Sequence, residues 1–491
     1  MLFNSVIFIM VFLPLTLLGF FSLQQLKNPI YAKLFLTGAS LFFYGYYNPW
    51  YLLLLGGSLL CNHGCSKLFE LCKGQKSRRL VLVAGLFVNL GILFYFKYFN
   101  FFIDNCNMLL HTDWNIEKIA LPLGISFFTF QQISYVVDRY RNDAPYYSLL
   151  DYACFITFFP QLIAGPIVLH SEFVPQLAAR KNRKPDAEKF FDGFSLFILG
   201  LGKKVLLADV LARPVNAAFD DINIIRYYID FPTGWLIILF YAFELYFDFS
   251  GYCDMARGIS KMFGFELPIN FDSPFKSETI TEFWRRWHIT LSRFLTTYIY
   301  IPLGGNRRGT AIRCRNTLIV FFISGIWHGA SWNFIFWGLF HGFGMITENL
   351  FPKLRLPWAW LRKVVTFLFF TLSMVLFRSD SLQTAGLYLK RMFTADITPY
   401  LSRLGNSLQL PETFAITKLL QLKAPELVEP FNLLVFALLF IISCILIAGP
   451  KAEEWLCKKG RTRRGLFLLA TIFTWSLISL SQVSTFLYFN F

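Results

Sequence analysis

Charged residues are scarce in this chain. Asp, Glu, Lys and Arg make up only 15% of its 491 residues, whereas an ordinary soluble domain has about 25%. Hydrophobic residues make up 55% and aromatic residues 19%, including 59 phenylalanines. The mean hydropathy is +0.50. One soluble core does not need so many phenylalanines, so the composition excludes an ordinary water-soluble protein and predicts an integral membrane protein.

Several motif signatures are also missing. The chain has no Walker A pattern, no G-x-S-x-G and no H-E-x-x-H segment. These absences count against an ATP-driven pump, a serine esterase and a zinc peptidase. The nine cysteines are scattered, mostly in apolar segments, and predict no disulfide framework. Cys61, His63 and Cys65 have the residue types of a metal site but lack a fourth ligand, so no metal is expected.

Long apolar runs recur from one end of the chain to the other. A run of roughly 17–25 residues crosses about 30 Å of hydrocarbon as a helix, and lipid offers no partners for a non-helical backbone. We therefore predict an all-α polytopic membrane protein with about 11–12 transmembrane helices. The candidate spans are 2–23, 30–47, 50–70, 80–103, 117–137, 190–211, 233–256, 316–333, 334–350, 360–378, 431–449 and 466–489. Two further apolar stretches, 150–168 and 281–303, are broken by proline or rich in polar groups and are predicted to be re-entrant.

The basic residues indicate the orientation of the chain in the membrane. The formal net charge is +16, and Lys and Arg concentrate in short loops between the spans, as they do in cytoplasmic loops. The basic loops all fall on one side if the N-terminus is outside; they lie near 73–79, 180–189, 307–315, 362–363 and 451–464. We interpret this charge as topology, with a possible local role in binding an anionic donor, and we predict no nucleic-acid partner.

The map predicts one integral membrane domain over residues 1–491. Within it we expect N-terminal spans in 1–115, a catalytic core in 116–350 and C-terminal spans in 351–491. The longest stretch outside the membrane, 379–430, is predicted to be an outer loop.

One group of ionisable residues predicted at membrane depth lies in the span 233–256. Glu244, Asp248 and Tyr252 are spaced by four residues, which places them on one face of a helix. Burying carboxylates in a membrane is costly, so they need partners. Two interpretations stay open. The group orients a catalytic histidine or lines a polar cavity, or it is a structural network paired with Arg or Tyr side chains of another helix.

A second group, at 282–309, combines arginines, aromatic residues and glycines. Guanidinium groups and backbone N–H groups suit phosphates, and a coenzyme A donor carries several. The candidate donor-binding residues are Arg285, Arg286, Asn306, Arg307 and Arg308. The alternative is that the arginines anchor the chain at lipid headgroups.

A third group surrounds His328, in the segment SGIWHGASW at 324–332. A neutral imidazole can accept a hydroxyl proton near neutral pH, as a general base must. Gly325 and Gly329 allow a substrate or a neighbouring helix to approach its backbone closely. Trp327 precedes His328, and Trp332 is expected one turn beyond it on the same face. His341 is a weaker candidate, and a buried histidine satisfied by another helix is the alternative for both.

These groups and the stretches around them resemble the membrane-bound O-acyltransferase family, in particular its alginate O-acetyltransferase branch. The resemblance covers about residues 120–345 and continues through LFR at 376–378. It rests on LPLGISFFTFQ (121–131), FFPQLIAGPI (158–167), YFDFSGY (246–252), NFDSPF (270–275), FWRRWH (283–288) and WHGASW (327–332). It implies helices around a central tunnel that connects both membrane faces. It also implies that His328 is the catalytic base and that His288 is the second motif histidine.

The resemblance further implies the reaction. Acetyl-CoA or a related thioester enters from the cytoplasm, with no permanently bound cofactor, and His328 activates an acceptor hydroxyl. His288 or a backbone N–H near Gly329 is expected to stabilise the oxyanion. The expected acceptor is an extracellular or periplasmic polysaccharide such as alginate, or a periplasmic SGNH-type acetyltransferase that passes the group on. The expected location is the inner membrane of a bacterium, in contact with its lipids.

Two other functions are considered. A D-alanyl transferase would also use His328 but would take its thioester from an acidic carrier protein docked on the inner face. A lipid or glycan transporter would use Glu244 and Asp248 as a coupling pair. Transporter folds often contain internal repeats, and none is visible in this sequence.

Overall fold

The apolar runs fold into helices along the whole chain. The structure, a computed structural model, describes all residues except 116, 180–184, 353–355, 395–399, 409, 481–485 and 488–491. The basic residues predicted at 180–184 therefore lie outside the described residues. In the described part of the chain every regular element is helical and no strand occurs. The predicted all-α class is confirmed.

The helices are numbered in chain order. The N-terminal part contains α1 (Leu13–Gln24), α2 (Ile30–Gly45), α3 (Trp50–Leu71), α4 (Gln75–Leu93) and α5 (Phe99–Leu110). The central part contains α6 (Ile125–Arg141), α7 (Leu149–Thr157), α8 (Phe159–Leu162), α9 (His170–Ala178), α10 (Ala187–Gly202), α11 (Asp209–Phe219), α12 (Ile222–Tyr227), α13 (Phe231–Met262), α14 (Ile280–Arg286), α15 (Ile289–Leu295), α16 (Thr310–His328) and α17 (Trp332–Leu350). The C-terminal part contains α18 (Ala359–Arg378), α19 (Leu382–Met392), α20 (Tyr400–Ser407), α21 (Phe414–Lys423), α22 (Val428–Ala448), α23 (Ala452–Trp455) and α24 (Arg463–Ser479). Single π-helical turns continue several helices; they are Phe8–Phe12, Phe94–Tyr98, Lys203–Ala208, Thr296–Tyr300 and Leu456–Gly460.

Every predicted span overlaps a helix in the described residues, and the end of the last span, 481–485 and 488–489, lies outside them. The fifth span begins later than expected, at Ile125, because Pro122 and a left-handed Gly124 (φ 73°) precede α6. Among the described residues, four helical stretches of at least 18 residues are apolar enough to cross a membrane. They are 75–110, 231–262, 359–378 and 425–448. The protein is thus a multi-pass membrane protein, and its full number of crossings stays a prediction.

The two predicted re-entrant stretches are broken into short helices. The first contains α7 and α8, which are separated at Phe158. The second contains α14, α15 and the π-helical turn Thr296–Tyr300. Most residues of the first segment are buried, whereas those of the second are a mixture of buried and half-buried. That they re-enter the membrane stays a prediction.

Helix α13 lies at the centre of the packing. It is 32 residues long, and 83% of its most apolar 18-residue stretch is buried. It packs against α10 at two glycine contacts. A Cβ at Gly193 would lie 2.6 Å from the Gly258 carbonyl oxygen, and one at Gly200 would lie 2.6 Å from that of Gly251. Small residues let the two backbones approach closely, and this packing fixes the helix that carries the predicted carboxylates.

One buried core joins all three predicted regions of the chain. Phe8, Phe243 and Phe436 from these regions belong to the same cluster of buried side chains. The boundaries at 115 and 350 stay predictions.

Candidate active site

A helical hairpin of α16 and α17 presents His328. α16 ends at this residue because Gly329 takes an extended conformation, with φ −166° and ψ 149°. A Cβ at Gly325 would lie 2.4 Å from the Phe334 carbonyl oxygen, and one at Gly329 would lie 2.1 Å from the Phe334 ring. The predicted close approach at the two glycines is therefore present, and the neighbour is α17. The glycines bring the end of α16 and the start of α17 together around the histidine.

Aromatic rings enclose the His328 side chain, which is 3% exposed. The ring centroids of Trp327 and Trp337 each lie 4.9 Å from the imidazole centroid, and that of Phe377 lies 5.4 Å away. The planes of Trp337 and His328 meet at 84°, an edge-to-face contact of the kind that aromatic rings favour. The enclosure holds the ring in one orientation at the end of α16.

His288 lies beside His328, with 6.5 Å between the ring centroids. It occupies a left-handed position (φ 45°) between α14 and α15 and is fully buried. Asn270 Oδ1 accepts a hydrogen bond from the Thr290 backbone N–H at 3.2 Å, and this oxygen is also 3.1 Å from His288 Nδ1. An amide carbonyl oxygen has no proton to donate, so Nδ1 of His288 must be the donor. In the neutral ring Nε2 is therefore the basic nitrogen, a tautomer set by Asn270.

His341 forms a second layer behind His328. Ser373 Oγ donates to the Phe370 carbonyl at 2.6 Å, so it accepts from His341 Nε2 at 2.9 Å. The His341 ring lies 5.0 Å from that of Trp337. A fully buried histidine whose Nε2 bonds to another helix supports the wall of the site, which favours the alternative interpretation of the sequence.

One carboxylate of α13, that of Asp248, is held by a lysine from the π-helical turn 203–208. Lys204 Nζ lies 2.6 Å from Asp248 Oδ1 and 2.9 Å from Asp209 Oδ1. The Leu487 backbone N–H donates to the second Asp248 oxygen at 3.0 Å. Glu244 lies one turn earlier on α13 and is 4% exposed. The contacts of Asp248 favour the structural-network interpretation, but its partner is a lysine and not the expected arginine or tyrosine.

Tyr252 completes the predicted row on α13 but belongs to aromatic packing. Its ring stacks on Phe3 at 4.9 Å and meets Phe486 edge-on at 4.6 Å. Phe486 also lies under the Lys204 ammonium, with 4.7 Å from Nζ to the ring centroid. Tyr252 thus contacts Phe486, and Phe486 in turn contacts Lys204.

The expectation that Trp332 shares a helix face with His328 is wrong. α16 ends at His328, and Trp332 begins α17 after an extended linker. Its side chain is 47% exposed, and its Nε1 donates to Asn105 Oδ1 at 2.9 Å. The glycine that lets the chain turn also removes Trp332 from the site.

Only part of the predicted arginine cluster faces a cavity. A cavity of about 460 Å³ is lined by Arg285 and Asn306, and also by Arg313 and Tyr300, which were not predicted. Arg286 instead pairs with Glu282 at 2.8 Å. Arg307 and Arg308 are exposed and do not line the cavity.

A second, narrow cavity touches His328 directly. It is about 30 Å³ in volume. It is lined by Lys97, Trp327 and His328, together with residues 121–127 and Ile163. Three of the sequence motifs, LPLGISFFTFQ, FFPQLIAGPI and WHGASW, therefore meet at this cavity.

A comparison with protein families identifies the chain. The model described as MBOAT, membrane-bound O-acyltransferase family, matches residues 114–379, which include both histidines and both cavities' main walls. The chain belongs to the membrane-bound O-acyltransferase family. The family predicted from the motifs is confirmed, and this protein is an enzyme that transfers acyl groups.

Several proteins named as acyltransferases are similar to it. The peptidoglycan O-acetyltransferase of Helicobacter pylori is 43% identical over 80% of this chain and 80% of its own length. The probable alginate O-acetylase AlgI of Pseudomonas aeruginosa is 39% identical over 80% of this chain and 75% of its own length. The teichoic acid D-alanyltransferase of Streptococcus thermophilus is 30% identical over 50% of this chain and 58% of its own length.

Three polar residues of this acyltransferase escaped the sequence reasoning: Lys97, Asn270 and Lys204. Lys97 carried a signal that could have been used, because it is a lone charge inside the apolar span 80–103. Asn270 bonds to His288, 18 residues away in the chain, and Lys204 bonds to Asp248, 44 residues away. No local sequence pattern predicts such pairs.

Proposed function

We propose that this acyltransferase moves an acetyl group from a cytoplasmic thioester across the membrane to a cell-envelope polysaccharide. The observation that carries the proposal is that two cavities are lined by residues one helical turn apart on α16, Ser324 and His328. The larger cavity reaches Ser324, which precedes His328 on α16 by one turn, about 6 Å. The narrow cavity is lined by His328 itself. A donor and an acceptor that come from opposite sides would meet at this ring.

The larger cavity suits acetyl-CoA or a related thioester. Arg285 and Arg313 line it on the side of the basic loop, where guanidinium forks would bind phosphates. Leu291, Leu295 and Phe321 line its other walls and would cover the apolar arm of the donor. The positive-inside pattern of the loops supports a cytoplasmic opening and an outer N-terminus.

In the proposed reaction His328 accepts the proton of the acceptor hydroxyl. The hydroxyl oxygen forms a bond to the thioester carbonyl carbon, and the C–S bond of the resulting tetrahedral intermediate breaks. The imidazolium returns its proton to the thiolate, so an ester and a free thiol form without net proton change. His288 is assigned a role as a basic group beside His328, because its Nδ1 proton is held by Asn270. It would stabilise an oxyanion only as an imidazolium.

The proposed acceptor is an extracellular or periplasmic polysaccharide, such as alginate or peptidoglycan. The proposed location of the enzyme is the bacterial inner membrane. The relatives named for O-acetylation of these two polymers are 39% and 43% identical over 80% of this chain. The acetyl group would reach the polymer directly or through a periplasmic SGNH-type acetyltransferase. A D-alanyl transfer from a carrier protein is the second candidate, supported by the relative that matches half of the chain.

The test is acetyl incorporation into surface polysaccharide by cells that lack the native protein. These cells are complemented with wild type, His328→Ala, or the control His111→Ala, whose residue is exposed at the end of α5. We expect wild type and the control to restore acetylation and His328→Ala to lower its rate by about 10²–10⁴. All three must be present in the membrane at equal abundance.

Each other outcome contradicts a different part of the proposal. Full acetylation with His328→Ala would refute the role of the histidine. D-alanine on the polymer in place of acetate would refute the acetyl donor and support the second candidate. Acetylation by neither wild type nor control would refute the donor or the polymer.

A further inference from the structure

The last carbonyl groups of α16 are capped by a neighbouring helix. The carbonyls at the end of a helix have no partner within that helix. Tyr98 Oη donates to the Ile326 carbonyl at 3.1 Å, and Lys97 Nζ donates to the carbonyl of Trp327. The two donors are consecutive residues of the π-helical turn Phe94–Tyr98, between α4 and α5. Such single π-helical turns are frequent at functional sites.

A lysine is an expensive cap for a helix inside a membrane. Lys97 belongs to the apolar stretch 75–110, where a charged side chain carries a large burial cost. Its ammonium group lies 5.7 Å from the centre of the Trp327 ring and 3.4 Å from Ser126 Oγ. The partial negative charge at the end of α16 also favours a cation there. A neutral donor would be enough to cap the helix. We therefore interpret the charged lysine as a group that holds the end of α16 more firmly than a neutral cap would.

The capped peptide group is the one that leads into His328. The carbonyl of Trp327 and the N–H of His328 belong to one planar unit, so holding that carbonyl fixes the direction in which the imidazole leaves the backbone. On the other side, Gly329 offers no side chain to hold the chain. Lys97 also lines the same narrow cavity as His328.

We propose that Lys97 and Tyr98 are positioning residues that fix the end of α16, and with it the imidazole of His328, for acyl transfer. The inference rests on the proposed role of His328. A shift of about 1 Å in a catalytic group can cost about 10²-fold in rate. The effect therefore belongs in kcat, while the donor cavity, which neither residue lines, keeps its affinity.

The experiment measures kcat and donor KM with acetyl-CoA and membrane vesicles that contain the full-length protein. Lys97→Met removes the charge and the donor, Lys97→Arg keeps both, and Tyr98→Phe removes one oxygen atom. Tyr95→Phe is the matched control, because Tyr95 lies on the same turn and is 51% exposed. His328→Ala is run in parallel.

We expect Lys97→Met to lower kcat by about 10²-fold with donor KM within about twofold of wild type. Lys97→Arg should recover at least about a tenth of the wild-type kcat, and Tyr98→Phe should lose about fivefold, roughly the worth of one neutral hydrogen bond. The control should match wild type. A purely structural role would lower abundance without this separation of kcat from KM.

The inference is overturned if Lys97→Met keeps the wild-type kcat, or if its defect lies in KM alone. If Lys97→Met fails to accumulate in the membrane, Tyr98→Phe decides, and an unchanged kcat there overturns the inference. Inactive His328→Ala together with fully active Lys97→Met refutes only the positioning role. Full activity of His328→Ala refutes the proposed function as well.

Discussion

The buried lysine of the α13 network offers a strong test of how this membrane protein is held together. Lys204 and Asp248 each have side chains that are 2% exposed, and their charged atoms are 2.6 Å apart. Lys204 also lies 2.9 Å from Asp209. Replacing Lys204 with methionine would leave two carboxylates without their cation. Removing one partner of a buried ion pair costs about 3–5 kcal/mol.

Asp248→Asn should be much milder than Lys204→Met. The asparagine has the same shape, its oxygen can still accept a hydrogen bond, and Lys204 keeps Asp209 as a partner. The expected cost is that of one weakened hydrogen bond to a charged group, about 1.5–3 kcal/mol. The predicted order of stability is wild type, Asp248→Asn, then Lys204→Met.

The measurement is the temperature at which the purified protein in mild detergent loses half of its folded population. Lys67→Met serves as the control, because Lys67 is an exposed lysine of α3. The rate of acyl transfer per folded molecule should stay within about twofold of wild type, since Lys204 satisfies both aspartates without a histidine. Equal stability of Lys204→Met and wild type would refute the reasoning. A collapse of the rate with intact stability would restore the interpretation in which the carboxylates serve catalysis.

Three further outcomes are expected. Gly325→Val should lower the free energy of unfolding by about 1–3 kcal/mol through overpacking, because its Cβ would lie 2.4 Å from the backbone of α17. Gly64→Ala should leave it unchanged, because no atom lies within 4 Å of the added Cβ. Thermal unfolding compares the two variants. Arg285→Ala should raise the donor KM about tenfold, because one charge-assisted contact to the donor is lost. Arg286→Ala should change the donor KM less than twofold, because its side chain pairs with Glu282 instead. Equal effects of the two variants in vesicle kinetics would contradict the assignment of Arg285 to the donor cavity. Trp332→Phe should leave kcat within about twofold, because the ring lies outside the site, and a larger loss would show that the side chain reaches the reaction.

Local sequence was a good guide wherever the cause was local. The span 360–378 was predicted from its apolar run, and α18 covers Ala359–Arg378. The interruption of 150–168 followed from its proline, and α8 begins beside Pro160. Glycine spacing predicted the close approach at Gly325 and Gly329, because only a residue without a side chain allows it.

Local sequence failed where two distant segments had to meet. The face shared by His328 and Trp332 was extrapolated from helical periodicity, and the break at Gly329 ended that periodicity. The arginine cluster was treated as one unit, yet Arg285 faces the cavity while its neighbour Arg286 turns to Glu282. Adjacent residues of a helix point in different directions, so only the packing around α14 decides between them.

The sequence by itself determined that the chain is an all-α membrane enzyme of the O-acyltransferase family and that His328 and His288 are its central candidates. Hydrophobic runs must form helices in lipid, and the motifs around both histidines are long enough to be specific. Only the tertiary structure decided which groups serve these histidines. Asn270 sets the tautomer of His288, Lys97 and Tyr98 cap the helix of His328, and Lys204 pairs with Asp248 of α13. Each of these contacts joins residues that are far apart in the chain, and helix packing alone brings them within hydrogen-bonding distance.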